Sequence, residues 1–388
     1  MATSTSPVIP ASGTPPNPWL RFALVFGLLY VFLVGINGLS GGFKSLGGGL
    51  LETFFAATTN PFMGLVVGLL ATTLVQSSSV TTSLIVAMVA APENPLPIAN
   101  AVPMVMGANI GTTVTNTIVS LAHMSRPDEF RRAFAVATCH DFFNFTAVLI
   151  LLPLEMATGF LRHSAGELAT VFSGIGGVSY KSPVKDAIKA GAKPLQELIA
   201  VITDSSHAQA IILIVVCGLL IYGALFLLVK TMRSLLRKKM EGAVMGALDQ
   251  QPLLAMLVGI IVTSVVQSSS ITTSLLVPLA GAGIITLEQA FPVTIGANIG
   301  TTVTALLASL AVSGENASAG VTIALVHFLF NVCATGIIYP VKRMRNVPLG
   351  GARKLAGIAV KNRWAALAYV VFLFYLLPMA LAALNHYN

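Results

Sequence analysis

Charge is what this chain has least of: Asp, Glu, Lys and Arg together make up 9% of 388 residues, against 55% hydrophobic. With a mean hydropathy of +0.85, the chain lacks the polar surface to cover a water-soluble globule of its size and belongs in a bilayer. Cysteine is nearly absent too. Cys139, Cys217 and Cys333 fall in apolar segments at no metal-like spacing, which excludes a disulfide framework and leaves them as small core residues. The formal net charge is +8, but the basic residues sit between apolar runs, where the bias of Lys and Arg toward the cytoplasmic side accounts for them. A nucleic-acid partner is discarded on that ground. The stretch 1–18 is rich in Ser, Thr and Pro and has no basic start, so it reads as a disordered tail rather than a signal peptide.

Long apolar runs, by contrast, are plentiful. Phe22 to Leu39, Phe134 to Leu152, Ala208 to Val229, Val321 to Tyr339 and Ala365 to Leu384 each approach the ~20 residues that a membrane span requires. Between them the chain repeats itself. QSSSVTTSL at 76–84 returns as QSSSITTSL at 267–275, GANIGTTVT at 107–115 returns unaltered at 296–304, and His140 and Asn144 correspond to His327 and Asn331. The three offsets, 191, 189 and 187, preserve order and spacing, as in transporters built from two structural repeats.

The distribution of basic residues bears on orientation. If each QSSS block is the tip of a hairpin that enters and leaves on one side, 16 of the 22 Lys and Arg share one face; if each block is a continuous span, the split is 13 to 9. The hairpin arrangement obeys the charge rule better. It gives three crossings per repeat, an odd number, and therefore inverted repeats. Limb lengths agree: Pro61 to Val75 is 15 residues and Val80 to Ala91 is 12, or ~22 and ~18 Å of helix against a hydrocarbon core of ~30 Å. The predicted fold is thus an all-α integral membrane protein of two inverted repeats, each with a re-entrant helical hairpin and a broken transmembrane helix. Its parts are a tail at 1–18, repeat one at 19–153 with its hairpin at 61–91, and a periplasmic linker at 154–207 with an amphipathic helix. Repeat two follows at 208–341 with its hairpin at 252–285, then a cytoplasmic basic loop at 342–363 and an extra span at 364–388. That last span has no partner in repeat one and is expected on the outside of the core or in a homodimer contact. The expected location is the plasma membrane, with a cytoplasmic N-terminus and a C-terminus on the outer, periplasmic side.

Where two short helices meet, backbone N–H and C=O groups are left unpaired. The N–H ends favour an anion, while C=O ends and hydroxyls suit a small hard cation. Gln76, Ser77, Ser78, Gln267, Ser268 and Ser269 supply neutral donors and acceptors at the two tips, and Asn109 and Asn298 add amides from the GANIGTT blocks; these are the candidate anion contacts. Oxygen donors for alkali cations are Ser79, Thr112, Thr113, Gln267, Ser268, Ser270, Thr301 and Thr302. Neither motif contains Lys or Arg, so the cations themselves must balance the anion, which makes binding of the two interdependent. Helix packing is the plainer reading for Ser79, Ser270, Thr115 and Thr304, and the spacing of Gly107 and Gly111 also fits a packing face. His140, Asp141, Asn144, His327 and Asn331 lie on spans, where ionisable groups are costly; interhelical hydrogen bonding is the favoured role of the two histidines. Asp141 has no counterpart in repeat two and is open to pairing with Arg131 or Arg132, or to carrying a proton. The residues leave the identity of the oxyanion open, with sulfate, arsenate and a small carboxylate among the options.

The paired QSSS motifs, the GANIGTT that follows each, and FRRAFAVATCHDFFNF at 130–145 closely resemble the type II sodium-dependent phosphate cotransporters, including their bacterial members, over most of residues 20–340. The resemblance implies a symporter of inorganic phosphate with sodium, phosphate lying between the two tips, and Thr301 and Thr302 as sodium ligands beside Gln267 and Ser268. It implies no cofactor beyond the co-transported sodium and no enzymatic activity. An intramembrane hydrolase would need one serine nucleophile with His140 and Asp141, whereas here the serines come in matched pairs and the aspartate does not. A channel would also use duplicated re-entrant loops, but tips opposed from two sides fit alternating access.

Overall fold

The computed structural model describes residues 18–46, 58–175, 183–248 and 251–387, and every regular element among them is helical. The expected tail at 1–18 lies outside these residues except for Pro18. The first half contains α1 (Pro18–Leu46), α2 (Pro61–Val75), α3 (Ser78–Val89), α4 (Ile98–Thr112), α5 (Val114–Leu121) and α6 (Pro127–Thr158). The linker forms α7 (Phe160–Ile175) and α8 (Pro183–Ile202). The second half follows with α9 (Ser206–Leu248), α10 (Pro252–Val266), α11 (Ser269–Gly281), α12 (Leu287–Ala311) and α13 (Ala317–Ile338). The chain closes with α14 (Lys342–Lys361), α15 (Arg363–Val371), a π-helical turn at Phe372–Leu376 and α16 (Leu377–Tyr387). Among the described residues, six segments are long and apolar enough to cross a membrane: Ala23–Phe43, Pro127–Thr158, Ser206–Leu236, Leu287–Ala311, Ala317–Ile338 and Arg363–Leu384.

The two QSSS regions fold as the sequence lengths demand, into pairs of helices of 15 and 12 residues and of 15 and 13 residues, each too short to cross ~30 Å alone. Local signals fix the ends. Asn60 accepts the Phe62 N–H at the start of α2, Pro61 and Pro252 occupy the first turns of α2 and α10, and both helices stop at a glutamine in the left-handed region. Each hairpin's first limb is then pressed against the helix that carries GANIGTT. A Cβ added at Gly107 would overlap the Leu65 carbonyl, and one at Gly296 the Met256 carbonyl. These glycines serve close helix packing rather than a break.

Three expectations are corrected. The segment 342–363, read as a basic loop, is mostly α14. Its basic residues hide a stripe of Pro348, Leu349, Ala352, Ala356 and Ala359, which is buried, and Gly351 lets the helix approach Phe142 of α6. The GANIGTT helix is interrupted only in the first half. α4 stops at Thr112 because the Thr113 N–H turns to the Ile110 carbonyl, 3.2 Å away. There Asn116 is drawn to the second hairpin, donating to Thr273 Oγ1 at 2.6 Å and accepting from Ser274 at 3.0 Å. Ala305 holds that place in α12, which runs unbroken. The linker carries two helices rather than one: α7 buries Leu161, Ala165 and Ala169, and α8 buries Ile188, Ala192 and Ile199.

Candidate functional site

Gln76 and Gln267 are two of only three non-glycine residues with positive φ among the described residues, at 58° and 61°. Ser77 and Ser268 follow with nearly identical extended backbones, φ −153° and ψ 105° against φ −153° and ψ 109°. The duplicated text therefore yields a duplicated corner, and the left-handed cap turns the chain without a glycine. In each corner the glutamine side chain is folded back and held. Gln76 Nε2 donates to the Thr73 carbonyl at 2.5 Å and Gln267 Nε2 to the Ser264 carbonyl. Gln76 Oε1 accepts from Thr115 Oγ1 at 3.0 Å, and Gln267 Oε1 accepts from Thr304 Oγ1 at 2.8 Å.

Both tips open into one cavity of about 250 Å³, lined by residues 75–80, by residues 267–270, and by Tyr222, Leu225, Phe226 and Val229 of α9. The two tips are tied directly. Thr304 spends its proton on Gln267, so at 3.2 Å Ser79 Oγ is the donor to Thr304 Oγ1. No Lys, Arg, His, Asp or Glu is among the lining residues. Ser77 Oγ caps the Val80 N–H at 3.3 Å, whereas Ser268 makes no such bond at the start of α11. The hydroxyls of Ser78, Ser268, Ser269 and Ser270 thus have no side-chain hydrogen bond among the described residues. Free hydroxyls and uncapped N–H groups at a helix start are an anion-binding arrangement, and the same oxygens can ligate an alkali ion.

The structure does not bring every candidate there. Asn109 and Asn298, read as anion contacts, belong to a separate buried lattice. His140 Nε2 meets Asn298 Oδ1 at 2.9 Å, Asn298 Nδ2 donates to Asn144 Oδ1 at 2.7 Å, and Asn144 Nδ2 donates to the Asn109 carbonyl at 2.7 Å. Asn331 Nδ2 reaches both Asn109 Oδ1 and its own helix at the His327 carbonyl. Both amides project toward α6 and α13 and stitch the halves together. Thr112, Thr113, Thr301 and Thr302 are buried and absent from the lining. Their hydroxyls donate to carbonyls three or four residues back, at 2.7 to 3.0 Å, which leaves oxygen lone pairs uncommitted. Both ring nitrogens of His327 are buried without a partner among the described residues.

Asp141 does not pair with Arg131 or Arg132. Arg132 is committed to the Ala280 and Gly281 carbonyls, and Asp141 Oδ2 accepts instead from Tyr369 Oη at 2.8 Å and Thr117 Oγ1 at 3.4 Å. Its Oδ1 is buried without a partner among the described residues. A carboxylate ringed by hydroxyls, with one oxygen free, is a set of hard donors suited to a small cation. The sequence pointed to Thr115 and Thr304, with helix packing as their plainer role, but not to their hold on the glutamines, and it gave no sign of the tyrosines of the last span. Thr115 and Thr304 close the repeated nonapeptide, which was the signal available. Tyr369 and Tyr375 had none, since the second half's last span has no twin to compare.

A family model described as Na+/Pi-cotransporter matches residues 31–179 and 219–386. Among curated relatives, sodium-dependent phosphate transport protein 2A of the rat is 36% identical over 92% of this chain and 67% of its own length. Sodium-dependent phosphate transport protein 2B of human is 34% identical over 94% of this chain and 65% of its own length. The chain thus spans about two thirds of the length of these relatives. No solved structure matches it.

Proposed function

Because the chain belongs to the Na+/Pi-cotransporter family, we propose that it is a symporter that couples sodium entry to uptake of inorganic phosphate across the plasma membrane. Phosphate sits in the cavity between the two QSSS tips. The observation that carries this reading is the pair of matching glutamine corners meeting in one uncharged, hydroxyl-lined cavity. Phosphate takes its hydrogen bonds from the N–H groups at the starts of α3 and α11 and from Ser77, Ser78, Ser268 and Ser269. Serine oxygens accept the proton that hydrogen phosphate carries, a contact sulfate lacks.

Sodium supplies the positive charge missing from the lining. Ser79, Ser270, Gln267 and Ser268 offer oxygens at the tips, and Thr112, Thr113, Thr301 and Thr302 offer theirs on the helices behind. Without bound sodium the dipoles alone face the anion, so each ion strengthens binding of the other. The two hairpins are inverted in the membrane, one entering from each side, and alternate in opening the shared cavity.

Uptake of labelled phosphate into proteoliposomes carrying the full chain tests this. Sodium-driven accumulation that collapses when potassium replaces sodium, and that excess sulfate does not inhibit, is the expected result. Equal uptake in potassium removes the coupling, and full inhibition by sulfate removes the assignment of phosphate.

A further inference from the structure

A second and larger cavity, of about 480 Å³, lies where α6, α14 and the turn between α11 and α12 meet. Its lining combines three guanidinium groups, Arg131, Arg132 and Arg353, with apolar walls that include Val136, Ile285 and Leu287. Arg132 caps the last carbonyls of α11, using Nε and Nη2 on Ala280 and Gly281, which leaves three of its N–H donors unspent. Arg353 is paired with Glu288. Arg131 is exposed and has no partner among the described residues. Three cations therefore face one carboxylate, and although helix-end carbonyls hold Arg132, Arg131 keeps its whole donor set for a ligand.

Such a rim recognises a phosphate group, because the guanidinium fork matches phosphate oxygens in pairs. The size and the apolar walls point further. The cavity has nearly twice the volume of the one between the tips, more than a free inorganic ion fills, and its hydrocarbon lining gives such an ion no return on its desolvation. Basic pockets between membrane helices take anionic headgroups for this reason. We propose that the cavity binds the phosphate headgroup of an acidic phospholipid, with Arg131 and Arg353 on the phosphate and the apolar walls on the glycerol and first methylenes. A lipid held there joins α6 and α14 to the base of the second hairpin.

The test titrates dioctanoyl phosphatidic acid and dioctanoyl phosphatidylcholine against the full chain in detergent, in buffer free of sodium and phosphate. The acidic lipid binds and the zwitterionic one does not. Arg131→Gln removes no internal bond and weakens binding about tenfold, the loss of one charge-assisted contact. Glu288→Gln frees Arg353 and tightens it, an outcome that misfolding cannot produce. Equal binding of both lipids, wild-type affinity in Arg131→Gln, or displacement of the lipid by inorganic phosphate at matched concentration overturns the proposal. The last result hands the cluster to a soluble anion.

Discussion

Tyr369 and Asp141, 228 residues apart, are joined by a 2.8 Å hydrogen bond from the phenol to a fully buried carboxyl oxygen. The final span therefore reaches the interior of the first half. Replacing Tyr369 with Phe removes the closer of two donors to Asp141 Oδ2 and leaves Thr117 at 3.4 Å. A hydrogen bond to a buried acid is worth ~1 to 3 kcal/mol. Tyr369→Phe should lower the thermal midpoint in detergent and speed proteolysis within residues 362–387. A midpoint equal to wild type would show that this hydroxyl does not anchor the span.

The threonines that hold the two corner glutamines should not be equivalent. Thr304 serves Gln267 and also receives Ser79 from the opposite tip, and Gln267 is only 6% exposed. Thr115 serves Gln76 alone, at an exposed corner where Tyr375 also contacts the amide. Thr304→Val should reduce sodium-driven phosphate uptake more than tenfold, and Thr115→Val only severalfold. Uptake in proteoliposomes of matched protein content measures both. Equal losses would mean that the link between tips contributes nothing.

Much of this was legible in the sequence, and the rest failed for physical reasons. Hairpin limbs could be placed because helix length against bilayer thickness is simple arithmetic, and the observed α2 has the predicted bounds, Pro61 and Val75. The cavity residues of the tips were found because duplication marks them. Asn109 and Asn298 were expected at the cavity because an amide in a repeated block says nothing about which helix face it occupies, and both face the lattice instead. The segment 342–363 looked like a loop because charge was read ahead of the three- and four-residue spacing of Leu349, Ala352, Ala356 and Ala359. Tyr369 and Tyr375 were invisible, since their contacts join chain segments hundreds of residues apart.

Lattice and tip residues should separate cleanly in a stability measurement. Asn298→Ala strands His140 Nε2 and Asn144 Oδ1, both on fully buried side chains, and such orphans cost ~1 to 3 kcal/mol each. Ser268→Ala strands nothing, because its hydroxyl makes no cap bond. The asparagine variant is expected to unfold several degrees earlier or to express poorly. The serine variant is expected to melt as wild type yet lose coupled uptake. Normal uptake by a well-folded Ser268→Ala variant would count directly against the tip assignment.

The π-helical turn at Phe372–Leu376 follows Tyr369, which reaches Asp141, and contains Tyr375, whose hydroxyl lies 3.3 Å from Gln76 Nε2. A π turn inserts one residue into the helical register. In an unbroken α-helix, Tyr375 would be rotated by ~100° relative to Tyr369 compared with its observed position, so the two phenols could not serve both sites at once. Tyr375→Phe removes the contact with Gln76 without moving the backbone. If the turn exists to deliver that hydroxyl, Tyr375→Phe reduces phosphate uptake by a few-fold factor with no change in thermal midpoint. Wild-type uptake in Tyr375→Phe would instead assign the turn to packing of Phe374, which is fully buried.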